Sequence, residues 1–281
     1  MGRYGNGASI EDIARAAGCS EGSVENYTNH CFEAILSLQS QFVRKLAPAE
    51  KEVEKERMDN HLGFWGSWGD GWVMYNGTIV VLYCKPGKNG DAYYTWKANY
   101  GLNVQIGNTP SNLQIVDFTH GMTGSAHDAT AFEHTTAAVH PDWFFDGEEF
   151  AWADSAYVVN SRTIPVHKKP ASLEPMNALF DKVVATLRVR SEHCIGALKG
   201  PFQCLCGLRV HINSNKDHYE ACQWISVAII LHNLIIDVEG SKSVEYFGNG
   251  PDEEEEDTGI HQENDRVDII ILMTMMQNVG N

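Results

Sequence analysis

Apolar positions along the chain follow first a helical and then a two-residue period. Ile10, Ile13, Ala14 and Ala17 recur at helical spacing behind Ser9, which can cap the helix, and Glu11 and Asp12 stand in the first turn where carboxylates suit the dipole. Gly18 and Cys19 break the pattern, and Ser20 caps a second helix with Val24, Tyr27 and Cys31 on one face. Small alanines, a glycine turn and a second helix make the pattern of a helix-turn-helix over residues 1–45. Its second helix turns Glu21, Ser23, Asn26 and His30 outward, with Ser23 and Asn26 as candidate DNA contacts. None of these four is Lys or Arg, so the same pair also reads as two helices packing on the main domain or on a partner.

Residues 46–71 read as a linker, Lys/Glu-rich to 62 and Gly/Trp-rich from Gly63 to Trp72. Trp72–Tyr83 is then an apolar, β-branched strand. Tyr100, Leu102, Val104 and Ile106 alternate with Gly101, Asn103 and Gln105, the signature of a strand with one buried face. Gly107–Ser111 reads as a hairpin turn and Asn112–His120 as the return strand. Phe150–Asp154 is a fourth strand, with Phe150, Trp152 and Asp154 on one side. Helical spacing returns at Phe180, Val183, Val184, Leu187, Ser191, Cys194, Ile195 and Leu198. Ala221–Val238 is apolar nearly all round and reads as a buried helix, its Ile225–Ile236 core being too short to cross a bilayer. This order predicts a mixed α/β domain over 72–240, a mixed sheet flanked by helices, followed by an acidic, partly disordered tail over 241–281.

Composition sharpens this reading in two places. Seven cysteines, an odd number, without a charged-then-apolar start predict reduced thiols and no signal peptide; Cys204 and Cys206, one residue apart, lack zinc-site spacing. A net charge of −16 disfavours nonspecific nucleic-acid binding by the chain as a whole. The charge is unevenly spread, however. Residues 241–281 hold ten acidic and two basic residues, whereas Arg162–Glu220 holds nine basic against five acidic ones. A phosphate backbone responds to that local field, although the segment also reads as an ordinary mixed surface.

Four polar residues sit at ends of regular elements or on the amphipathic helix. They are Asn76 in the first strand, Asp128 opening a helix, Asp154 closing the fourth strand and Glu192 on the helix, expected half-buried and aimed at the sheet. Carboxylates converging from separate elements bind hard divalent cations such as Mg²⁺ or Mn²⁺, which can activate water for phosphodiester cleavage. Arg188, four residues before Glu192, and Lys199, seven after it, share its stripe and would hold phosphates, with Arg190 a further basic candidate. Taken alone, Arg188 and Glu192 also read as an i, i+4 surface ion pair.

These residues lie in blocks that resemble the Harbinger transposases and their derived nucleases. Arg188, Glu192 and Lys199 resemble the C-terminal signature of transposases with an Asp-Asp-Glu site, and Asp154-Ser155-Ala156-Tyr157 resembles their Asp-Ser-Gly-Tyr block. Gly124-Ser125-Ala126-His127-Asp128 is similar to the Gly-Ser-x-His-Asp block of the Harbinger group. Asn99–Gln105 and Leu198–Phe202 match its style too, in order across roughly 72–235. The resemblance implies an RNase H-like core and a nuclear, metal-dependent DNA endonuclease with Asn76, Asp128, Asp154 and Glu192 as catalytic and metal-binding positions. Its implied partners are DNA, a separate Myb-like DNA-binding protein and a second copy of the chain, with no membrane. Two departures stand out. Asn76-Gly77-Thr78 replaces the family's Asp-Gly-Thr, and Thr95-Trp96-Lys97 replaces its Asp-Arg-Lys. Asparagine keeps a neutral oxygen but lacks the charge, so impaired hydrolysis is expected, with an inactive DNA-binding or protein-interaction module as the alternative.

Overall fold

A computed structural model describes residues 8–62 and 68–240. The acidic tail, the first seven residues of the helical module and residues 63–67 of the Gly/Trp-rich stretch lie outside the described residues. Helices α1 (Ile10–Ala17) and α2 (Glu21–Leu36) form with the expected caps. The Ser9 and Ser20 side chains accept from the backbone N–H groups of Asp12 and Ser23, and Gly18 closes α1 at φ 66°, a left-handed conformation that suits glycine. The inner face of α2 differs from expectation. Tyr27 is 67% exposed and Cys31 is exposed, whereas Val24, Thr28 and Phe32 are half-buried, Phe32 meeting Trp224 edge-on at 4.7 Å. The side of α2 that is covered was chosen by that tertiary contact, which the local pattern does not contain.

After the short α3 (Gln39–Phe42), the Lys/Glu-rich connector is helical as α4 (Pro48–Leu62). Its charged sequence conceals an anchor. Lys51 is fully buried, and its ammonium donates to Glu149 at 2.5 Å, Asp146 at 2.7 Å and the Phe144 carbonyl at 3.1 Å.

The core is a five-stranded mixed sheet in the order β3-β2-β1-β4-β5, compatible with an RNase H-like fold. Strand β1 (Gly71–Val81) pairs antiparallel with β2 (Gly101–Asn108), which pairs antiparallel with β3 (Ile115–Thr123). On its other side β1 runs parallel to β4 (Phe150–Ala153), and β4 to the short β5 (Thr163–Pro165), a strand the hydrophobic pattern did not announce. Strand β2 was expected to bury one face, yet all eight of its residues are buried, because helices cover both faces.

Helices α5 (Asp128–Phe132), α6 (Thr136–Val139) and α7 (Pro141–Phe144) join one apolar cluster with Trp72, Tyr75 and Val116. The 25-residue helices α8 (Pro175–Lys199) and α9 (Asn215–Glu239) supply Leu198, Ile225 and Ile229 to a second cluster with Leu102, Val104 and Ile106. A third joins Met58 of α4 and Phe180 and Leu187 of α8 to Trp152 of β4. Full burial of each such side chain contributes roughly 1.5–3 kcal/mol. Helix α9 is long and apolar enough to span a bilayer, but its central residues Val227–Ile230 are buried inside this domain. The apolar run read as too short is thus the middle of a longer helix, begun by a capping box between Ser214 and Asp217.

Candidate active site

The middle of the sheet sets the site. Strands β1 and β4 are parallel neighbours, with Tyr75 paired to Ala153, so the next residues of the two strands are Asn76 and Asp154. Parallel neighbours lie about 4.8 Å apart. Asp154 is 23% exposed, its Oδ1 accepting from the Ser155 N–H. Helix α8 brings Arg188 over this point. The guanidinium lies 3.6 Å from Asp154 Oδ1 and 3.4 Å from Glu192 Oε1, and so joins the two carboxylates. Glu192 itself is 55% exposed, not half-buried, because its stripe lies at the margin of the buried face of α8.

Asp128, at the start of α5, is not brought to this point: it lies against the opposite face of the sheet, where Gly77, Asn103 and Gln105 point. Its Oδ1 accepts from Asn103 Nδ2 and Gln105 Nε2, both at 2.9 Å. Asn103 also donates to the Ala126 carbonyl at 3.1 Å, which fixes the loop leading into α5. Gln105, fully buried, accepts a hydrogen bond from the Tyr157 hydroxyl. Burial raises the Tyr157 phenol well above its usual range, and the negative charges of Asp128 and Asp154 raise it further. Tyr157 therefore lies within the electrostatic reach of both carboxylates. Gly77 permits this approach, since a Cβ there would come 2.5 Å from Asp128 Oδ1 and 2.8 Å from Gln105 Nε2.

The basic residues of α8 divide their roles. The Lys199 ammonium donates to Thr78 Oγ1 at 2.8 Å and to the Ile79 carbonyl at 2.7 Å, tying α8 to β1. Burial lowers its pKa, and the nearby charge of Lys97 adds to the effect. Arg190 donates to the Pro110 and Ser111 carbonyls in the β2–β3 connection. Of the expected phosphate contacts on α8, Arg188 alone is joined to acidic residues of the candidate site. Ser23, half-buried, is hydrogen-bonded to Ser20 at 2.9 Å, and Asn26 is exposed on α2.

Residues 75–233 match the sequence family described as DDE superfamily endonuclease, a span that contains Asn76, Asp128, Asp154, Glu192 and the basic residues of α8. The chain belongs to that family. DDE superfamily endonucleases act on DNA and use divalent metal ions. No match was found among curated proteins or solved structures.

As a DDE endonuclease site, the donor set of this chain does not fit a divalent cation as it stands. Among the described residues, no three His, Cys, Asp or Glu side chains gather closely enough to hold one. The strand neighbour of Asp154 is a neutral amide, and the single charge of Arg188 lies between Asp154 and Glu192, offsetting one of their two negative charges. Asp128 has one oxygen held by two amide donors. A hard cation needs several anionic oxygens to replace its water shell.

Sequence reasoning did not select Asn103, Gln105, Gly77 or Tyr157 as site residues. Their signal was present: Asn103 and Gln105 share one face of a strand, and Tyr157 follows Asp154 within its block. Reading β2 as half-solvated hid it, since polar residues on a wet face need no explanation.

Proposed function

We propose that this chain is a Harbinger-type, transposon-derived DNA-binding protein whose phosphodiester hydrolysis is strongly impaired at Asn76. The observation that carries this reading is the neutral Asn76 next in register to Asp154, with Arg188 joining Asp154 to Glu192. In this reading Asp154 and Glu192 are the remaining carboxylates on the α8 face and Asn76→Asp would add a third beside Asp154, while Asp128 is held on the opposite face. Family membership supports DNA as the ligand.

The capped α1–α2 pair supports a helix-turn-helix reading, in which exposed Asn26 is the better candidate DNA contact and Ser23 is engaged with Ser20. The scarcity of basic residues on that helix supports recruitment by a separate Myb-like DNA-binding protein in the nucleus. Truncation of residues 1–45 is then expected to abolish capture of such a partner.

The test is nicking of supercoiled DNA with Mn²⁺. The wild-type chain is expected to leave the plasmid intact and Asn76→Asp to nick it. Equal nicking by the two proteins would remove Asn76 as the cause of impairment. If neither protein retards DNA in a salt-dependent gel shift, the DNA-binding reading itself fails.

A further inference from the structure

A cleft of about 1030 Å³ opens beside Asp128, between the end of β1, the 94–98 loop and residues 124–130, with Lys168 at its margin. At its rim stands Trp96, 84% exposed, with Tyr94 49% exposed next to it. No core packing accounts for an indole so placed.

The loop that presents it is tightly fixed. Tyr94 and Tyr100 form an antiparallel bridge, the Thr95 N–H donates to the Asn99 carbonyl at 2.8 Å, and the Ala98 N–H donates to the Thr95 carbonyl at 3.1 Å. The Thr95 hydroxyl also donates to the Asn99 side chain. The loop is seated directly on the cleft wall, for a Cβ on Gly124 would come 2.6 Å from Thr95 Cγ2 and 2.8 Å from the Gly101 carbonyl. Trp96 and Lys97 therefore project from a preformed tip, and little conformational freedom is lost when they engage a ligand. The Lys97 ammonium lies 4.9 Å from the centre of the Trp96 ring. The cleft thus combines an exposed aromatic face and two exposed ammonium groups, Lys97 and Lys168, with a polar interior that includes Asn103 and Asp128.

We propose that this cleft takes an unpaired nucleotide of DNA, its base stacked on Trp96 and its phosphate held by Lys97 and Lys168. The inference rests on the DNA-binding reading above and names the form of DNA that this region takes. A base inside a duplex is already stacked on its neighbours, so only an unpaired base can lay its face on the indole. Stacking of this kind is tolerant of sequence, because every base has a π face. Asp128 repels phosphate from the cleft interior, which sets the orientation: backbone at the lysine rim and base toward the tryptophan.

The test uses the full chain with a short fluorescent oligo-dT and a duplex of equal length, followed by anisotropy. Trp96→Ala is expected to weaken oligo-dT binding about tenfold, Trp96→Tyr to restore most of it, and duplex binding to stay unchanged. The inference is overturned if Trp96→Ala binds oligo-dT like the wild type, if it weakens both DNA forms equally, or if Trp96→Tyr behaves like Trp96→Ala. A wild-type chain that binds duplex but not oligo-dT sinks this inference alone. One that binds neither form sinks the DNA-binding reading with it.

Discussion

Asparagine and aspartate at position 76 have nearly the same shape, and the consequence of the exchange is electrostatic. The amide offers one neutral oxygen and an N–H₂ donor in place of two anionic oxygens. On the other face of β1, Asn103 and Gln105 hold Asp128 beside Gly77, and this arrangement can be tested directly. Gly77→Ala places a methyl group 2.5 Å from Asp128 Oδ1. It is expected to displace Asp128 and destabilise the fold by about 1–3 kcal/mol, read from urea unfolding. Tyr157→Phe removes the donor to the buried Gln105 Oε1, and an orphaned acceptor there costs roughly 1–3 kcal/mol in the same measurement. The blocks around 76, 128, 154 and 192 pointed to the span that matches the family. The role of Gln105 was not legible, because an amide reaching from one strand to a helix start 23 residues later leaves no local pattern.

Among the elements, caps and periods gave α1, α8 and the strands β1, β2 and β4 close to their observed places, since those signals are local. The return strand β3 lies three residues later than its pattern, because Gly107 and Asn108 of the expected turn pair in β2. Helix α4 was hidden because its stability comes from afar: Lys51 meets partners 95 and 98 residues away. Lys51→Met is expected to cost about 3 kcal/mol, because Glu149 loses its nearest cation and keeps only Lys55 at 3.0 Å. A melting curve unchanged by that substitution would show that α4 is not anchored there.

The docking of α9 on the sheet edge should depend on pH. His120 of β3 pairs with Ser226 at 2.7 Å, and His232 of α9 with the Leu113 carbonyl at 3.0 Å. Burial lowers both histidine pKa values, helped at His120 by the charge of His218. The folded chain therefore binds fewer protons than the unfolded chain at these sites. Their contribution is complete above the ordinary histidine pKa of about 6.5 and is lost as pH falls from there through the lowered folded values. Buried Asp117, raised mainly by burial, works in the opposite sense, its contribution being lost as pH rises through its folded value. Urea midpoints should fall between about pH 7.5 and pH 5, and His120→Asn should flatten that slope. A midpoint constant over the range would contradict this account of the α9 contact.

At the scale of the whole molecule, a net charge of −16 coexists with a family that acts on DNA. The two are compatible only if contact is local, which makes binding sensitive to salt and to single residues. Replacing exposed Lys97 and Lys168 with glutamine should reduce the slope of log affinity against log salt for oligo-dT by about one to two. The α/β order was readable because strands and helices differ in period. The capacity of the site for metal was not readable from the blocks alone, because it depends on where Arg188 rests between two carboxylates.

On the α8 face the neutral Asn76 leaves Asp154 and Glu192 as a pair shared with Arg188, too little anionic oxygen for a divalent cation. Mn²⁺ titration of the purified chain, followed by calorimetry, tests this claim most directly. The wild type is expected to bind Mn²⁺ at least about tenfold more weakly than Asn76→Asp, a difference of roughly 1.4 kcal/mol. Equal affinity in the two proteins, with the fold unchanged, would contradict the claim.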